Sequence, residues 1–246
     1  MAWQWFHRLG SPKWFYDKTA AWLPWLGFIS VALILAGSIW GLAFGPAEAK
    51  QGNSARIIYI HVPTAILAMA GYYVMAISGA IGLIWRMKLS FMVMKAAAPI
   101  GAVLTFLALF TGAVWGKPTW GAWWVWDGRI TSMVVLFLLY LGIVALQGAY
   151  QNQDTADKVS AVLALVGMVN IPIIYKSVDW WYTLHQPATL KLTQKSSIDP
   201  SMGYPLLLMI LAFYIFYAWV LLLRTRVEIL RREQKTNWVQ EIVAKG

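Results

Sequence analysis

Three histidines occur in the chain, and two of them stand beside tryptophan-rich sequence. His61 lies in the run Arg56-Ile-Ile-Tyr-Ile-His61-Val-Pro63. His185 follows Asp179-Trp180-Trp181-Tyr182. Between them runs Trp115-Gly-Lys117-Pro-Thr-Trp120-Gly-Ala-Trp123-Trp124-Val-Trp126-Asp127-Gly-Arg129-Ile-Thr131, with five tryptophans in twelve residues. A neutral imidazole is a good ligand for iron, and indoles give rigid faces for stacking on a planar π-system. Arginine forks match carboxylates. Two imidazoles can hold one iron from opposite faces. A porphyrin would then find axial ligands in His61 and His185 and an aromatic shelf in Trp115, Trp120, Trp123, Trp124 and Trp126. Arg56, Lys117 and Arg129 would be the cations for its propionates. Asp127 either orients a ligand or holds Arg129; the sequence leaves both open.

Each feature also has a plainer explanation. A lone histidine at a helix end is usually a satisfied polar residue, and tryptophans gather at membrane interfaces in any case. That belt accounts for Trp22, Trp25, Trp40 and Trp85, one or two near a helix end. It does not account for five in one segment interleaved with Gly and Pro.

The elements that must position these residues are membrane helices. Of 246 residues, 60% are hydrophobic and 12% charged, and mean hydropathy is +0.59. Soluble domains sit near roughly 45–50% apolar and about 25% charged. This excludes a soluble enzyme domain, a disordered chain and a nucleic-acid-binding module despite a net charge of +10. The absence of cysteine excludes disulfides, thiolate metal sites and any thioether link to a cofactor.

Six charge-free stretches are long enough to span a bilayer, where about 20 apolar residues per helix are needed. They lie at about 22–44, 57–85, 96–114, 130–147, 159–175 and 204–223. The reading is an all-α integral membrane protein, one six-helix domain over 1–246, with a Trp-rich loop at 115–129 and a second His loop at 176–203. The first span is too long for a signal peptide and is expected to stay as a helix. Its Gly37, Gly41 and Gly45 form one small face for close packing against another helix of this chain or of a partner. Pro63 suits the first turn of a helix, which puts His61 where the second span begins.

With six spans, both termini share one face and the first, third and fifth loops share the other. The termini's side carries 13 Lys/Arg and the opposite side 7, so the positive-inside rule puts both termini in the cytoplasm. Arg224, Arg226, Arg231, Arg232, Lys235 and Lys245 in the tail read as an orientation signal and lipid anchor. His7 falls on that side and is excluded as a ligand. Gly116-Lys117-Pro118-Thr119 matches only the end of a Walker A motif, so no ATP site is expected.

The segment from Trp115 to Thr131 resembles the tryptophan-rich signature of the haem-handling proteins of cytochrome c maturation. With His61 before Val-Pro and His185 after Trp-Trp, the whole chain resembles the CcmC family, haem exporter protein C. Ile130 stands where Leu is common. The resemblance implies that His61 and His185 are axial ligands to haem b on the periplasmic face of the bacterial inner membrane. It implies that the Trp-rich segment presents haem to CcmE, a periplasmic chaperone that captures it covalently. It also implies assembly with the ABC transporter subunits CcmA and CcmB and with the small membrane protein CcmD. On this reading the chain delivers haem and is not an enzyme. A haem or solute permease remains an alternative, although intramembrane ionisable residues and inverted repeats are not visible. So do a haem lyase-like relative and a purely structural subunit that docks through the Trp segment.

Overall fold

A computed structural model describes residues 10–186 and 198–245. His7 and residues 187–197 of the second His loop lie outside the described residues. Six helices are long and apolar enough to cross a membrane, and no strand occurs among the described residues. In chain order the elements are α1 (Pro12–Ala20), α2 (Leu23–Ser38), α3 (Ile58–Trp85), α4 (Lys88–Trp120), α5 (Gly128–Ala149), α6 (Gln153–Gly167), α7 (Asn170–Trp180), α8 (Pro200–Arg232) and α9 (Asn237–Lys245). A π-helical turn, Ile39–Phe44, prolongs α2, and a 3-10 turn, Asn53–Ile57, leads into α3. The spanning elements are α2 with its π turn, α3, α4, α5, the α6–α7 pair and α8.

Local chemistry sets the helix ends. Ser11, Asp127, Asn152 and Asp199 each accept a backbone N–H in the first turn of the helix they cap, which satisfies donors that have no intrahelical partner. Arg86 ends α3 in the left-handed region at φ 54°, and α4 begins two residues later, so the two pack as a tight antiparallel hairpin. The fifth span breaks at Met168–Val169, just before Pro172, whose ring nitrogen cannot donate. The Asn170 amide ties the break to α5 by donating to the Ser132 carbonyl at 2.8 Å.

Packing relies on small residues, since lipid tails supply no hydrophobic drive between helices. The glycine face of the first span meets elements of this same chain. A Cβ on Gly37 would strike Met209 of α8, and one on Gly41 would lie 2.7 Å from the Tyr59 ring. The central core gathers Leu67, Tyr72 and Met75 of α3, Met94 of α4, and Leu136, Tyr140 and Ile143 of α5. Tyr140 donates to the Ala68 carbonyl at 2.8 Å, which pairs its hydroxyl inside the bundle.

The first and last described helices meet at one end of the bundle: Trp238 of α9 packs against Tyr16 of α1, and Arg226 of α8 donates to the Tyr16 carbonyl. Close by is a buried ionic cluster. Lys95 and Arg232 bind Glu228 at 3.0 and 2.6 Å, Arg232 also grips Asp157 at 2.6 and 2.9 Å, and Gln147 donates to Asp157 at 3.2 Å. Arg232 therefore ties α8 to α6, Lys95 and Gln147 bring α4 and α5 into the same cluster, and Arg232 is more than a surface charge.

Candidate functional site

The odd-numbered connections converge at the other end of the bundle, as topological parity requires. Two expected boundaries shift. Helical backbone starts at Asn53, so Pro63 lies inside α3 and His61 is already within the helix. The Thr64 hydroxyl, at 2.9 Å from both the Ile60 and His61 carbonyls, caps acceptors in the turn that Pro63 interrupts. Likewise α4 runs on through Pro118 to Trp120, so Trp115, Lys117 and Trp120 are helical. Here the Thr119 hydroxyl donates to the Trp115 carbonyl at 2.8 Å, and the Gly121 N–H donates to that of Lys117 at 3.1 Å. The chain leaves α4 at Gly121 with φ 78°, a conformation that costs glycine little. The loop proper is only the short stretch from there to Asp127.

His61 and His185 are brought together, with ring centroids 6.5 Å apart and planes inclined by 36°. Trp115 stands edge-on to His61 at 5.6 Å, and Trp120 is tilted against His185 at 6.1 Å. Gly112 leaves room for the His61 ring, since a Cβ there would lie 3.0 Å from its Cε1. Trp115 is anchored in turn by donating to the Gln51 side-chain oxygen at 2.7 Å. His61 is carried by α3, which packs against α4, whereas His185 is carried by the non-helical 181–186 segment.

That segment is fastened through Asp127. One carboxylate oxygen caps α5, accepting from Ile130 N–H at 2.7 Å, and the other accepts from the Thr183 hydroxyl. The Thr183 oxygen accepts the His185 backbone N–H at 3.0 Å. Trp181 lies over Gly128 at the start of α5, where a Cβ would come within 3.0 Å of its ring. Asp127 therefore fastens the loop that carries His185; it makes no direct bond to Arg129 among the described residues.

Arg129 contacts His185 directly. Its Nη1 is 3.3 Å from His185 Nδ1, and its Nη2 donates to the Tyr175 carbonyl at 3.3 Å. The Gln186 carbonyl, 3.0 Å from the same Nδ1, can only accept. The shorter contact therefore favours a proton on Nδ1 and leaves Arg129 Nη1 facing another donor. Arg129 Nε is buried with no partner among the described residues. A guanidinium with idle donors beside two imidazoles is a ready carboxylate site. Burial and the Arg129 guanidinium hold His185 below the ordinary imidazole range, which favours the neutral, lone-pair-bearing form.

The remaining candidates are spread more widely. Arg56 donates to the Leu42 and Gly45 carbonyls at 3.0 and 2.7 Å, where the first span ends. Its Nε is buried and unpaired among the described residues. Lys117 is exposed and donates to the Gly121 carbonyl at 3.2 Å. Trp123, Trp124 and Trp126 project outward, the last two edge-to-face at 5.3 Å. Trp180 and Trp181 are also exposed and edge-to-face at 5.8 Å. An open groove of about 670 Å³ runs between Trp126 and Trp181–Tyr182, floored by α5 and α7. No group of three or more metal-ligating side chains occurs among the described residues.

The family model described as "Heme exporter protein C" (CcmC) matches residues 5–240. The chain belongs to that family. It is similar to "Heme exporter protein C" of Escherichia coli (strain K12), 46% identical over 243 residues, which covers 99% of this chain and 98% of the relative. The protein of the same name from Haemophilus influenzae is 45% identical over 240 residues, 98% of each chain. That from Bradyrhizobium diazoefficiens is 46% identical over 228 residues, 93% of this chain and 86% of the relative. The family resemblance read from the Trp-rich segment and its two histidines is thus matched along nearly the whole chain. Thr111, Gly112, Thr183 and Gln51 were not singled out in the sequence; only folding sets them beside the histidines.

Proposed function

We propose that this member of the haem exporter protein C family binds haem b as cargo between His61 and His185 and hands it to the chaperone CcmE during cytochrome c maturation. The observation that carries the reading is the spacing of the two imidazoles. With a metal–imidazole nitrogen bond of roughly 2 Å on each side, two ligands on opposite faces of one metal set their ring centres about 6 Å apart. The 6.5 Å separation of the His61 and His185 rings is close to that centre-to-centre distance.

The other residues divide the work. Trp115 and Trp120 confine the two rings and exclude water around them. Arg129, with idle donors beside His185, takes a propionate, and Arg56 and Lys117 are further cations at the same end of the bundle. No cysteine can anchor the cargo, so binding is reversible, as delivery demands. The exposed Trp123, Trp124 and Trp126 extend the aromatic surface outward, where a receiving protein can reach it. The 13-to-7 distribution of Lys/Arg supports a periplasmic site with cytoplasmic termini in the bacterial inner membrane. Family membership supports assembly with CcmA, CcmB and CcmD, whose ATPase subunits supply an activity for which this chain has no motif.

The test is an absorption spectrum of the detergent-purified chain, co-expressed with the chaperone. Wild type is expected to show a Soret band and low-spin haem, and His61→Ala and His185→Ala are each expected to lose the low-spin signature. Unchanged spectra and haem occupancy in both variants would refute the axial assignment.

A further inference from the structure

Among the described residues the His61 imidazole has one side-chain hydrogen-bond partner, and that partner is committed. Thr111 of α4 sits 3.1 Å from His61 Nδ1 through its Oγ1. The same hydroxyl is 2.6 Å from the Leu107 carbonyl and 3.3 Å from that of Ala108. A hydroxyl has a single proton and two lone pairs. Both carbonyls can only accept, so the proton goes to the nearer, Leu107. What Thr111 then offers His61 is a lone pair, and Nδ1 must bring the hydrogen. The Ala108 carbonyl also faces the ring as an acceptor. Gly112, the next residue, lets the ring lie close against α4, since a Cβ there would fall 3.0 Å from Cε1, and Thr111 meets its Nδ1 edge.

We propose that Thr111 is the positioning residue of this site: it accepts the Nδ1 proton of His61, fixes that tautomer and leaves the Nε2 lone pair free to bind iron. This rests on the haem-binding reading only for its last clause; the tautomer is a property of the chain itself. The device is economical, because the back-bond to Leu107 and the bond to His61 use opposite capacities of one hydroxyl. Partners of this kind typically contribute about 10–100-fold in metal affinity. Thr111 is fifty residues from His61 in sequence, yet α3 and α4 form one hairpin, so the bond is set by the most extensive helix contact in the fold.

The test uses the full chain, haem-free and labelled with imidazole ¹⁵N-histidine, in detergent or nanodiscs. Long-range ¹H–¹⁵N correlations distinguish the two neutral tautomers, and the His61 signal is assigned by its loss in His61→Ala. Wild type and Thr111→Ser are expected to show the Nδ1–H form at His61. Thr111→Val, nearly isosteric but without a lone pair, is expected to shift the population toward Nε2–H. A second arm measures haem: Thr111→Val should bind about 10–100-fold more weakly, with Thr111→Ser restoring most of the loss. An Nε2–H ring in wild type overturns the inference without any variant. An unchanged tautomer in Thr111→Val overturns it as well. If His61→Ala leaves the haem spectrum intact, the haem-binding reading fails instead, and the apo spectra still decide the role of Thr111.

Discussion

Removing the Asp127 carboxylate should detach the loop that carries His185, and the size of the effect can be worked from two bonds. Asp127→Ala deletes the cap on α5, where Oδ1 accepts from Ile130 at 2.7 Å; losing such a cap costs about 0.5–2 kcal/mol. It also deletes the acceptor for the Thr183 hydroxyl, a hydrogen bond to a charged group, contributing about 1.5–3 kcal/mol. The two terms act in different places. The cap term lowers the stability of the bundle whether or not haem is present. The Thr183 term acts on the 181–186 segment, which is exposed at Trp181 and Tyr182. A double-mutant cycle with Thr183→Val separates them, since Thr183→Val leaves the cap in place. The expected coupling between positions 127 and 183 is about 1.5–3 kcal/mol in haem affinity, at most roughly 10- to 150-fold at 1.4 kcal/mol per decade. The assay is haem titration followed at the Soret band, with thermal unfolding of the haem-free variants as the reference. Coupling below about 0.5 kcal/mol would show that the Asp127–Thr183 bond does not hold His185 in place. Equal losses in affinity for Thr183→Val with and without Asp127 would say the same.

Two further outcomes follow from charges at opposite ends of the bundle. In the haem-free chain His185 should titrate below the ordinary imidazole value, because burial and then Arg129 disfavour its cation. The unfolded chain thus binds more protons than the folded one in the window beneath the ordinary value. The associated stability is present above that value and is lost as pH falls through the folded one. Arg129→Gln should move the His185 midpoint upward in an NMR titration, and a downward or absent shift would refute the electrostatic account. At the other end, Arg232→Ala leaves Asp157 and Glu228 short of a buried partner. Breaking such a pair costs about 3–5 kcal/mol, read as a lowered unfolding midpoint in detergent. Asp157→Asn should cost less, because it keeps the hydrogen-bonding shape. A loss under about 1 kcal/mol for Arg232→Ala would place the cluster among solvent-screened pairs.

Much of the architecture was legible locally. Charge-free runs of bilayer length mark six spans without reference to any fold, because a helix in lipid must satisfy its own backbone and needs only length and apolarity. Parity of six spans then puts His61, the Trp-rich segment and His185 on one side. Helix ends were less legible. Pro63 reads as a first-turn residue and Pro118 as part of the loop 115–129, yet helical backbone continues through both, with the Thr64 and Thr119 hydroxyls bonded to nearby carbonyls. A proline removes one donor, and a long helix held by its other turns and by packing can continue past it.

The sequence by itself determined the membrane class, the shared side of the two histidine-bearing connections, and the residue types needed for an iron-porphyrin site. The tertiary structure alone decided which side chains meet. The imidazoles are 6.5 Å apart because α3 and α4 pack as a hairpin while α7 returns along α5 to carry residues 181–186 back over its N-terminus. Thr111 reaches His61 across fifty residues, Asp127 reaches Thr183 across fifty-six, and Arg232 reaches Asp157 across seventy-five. Hydropathy and spacing are properties of one segment. Register between segments is set where glycines such as Gly41 and Gly112 let another side chain approach, and that fit exists only once the helices are packed.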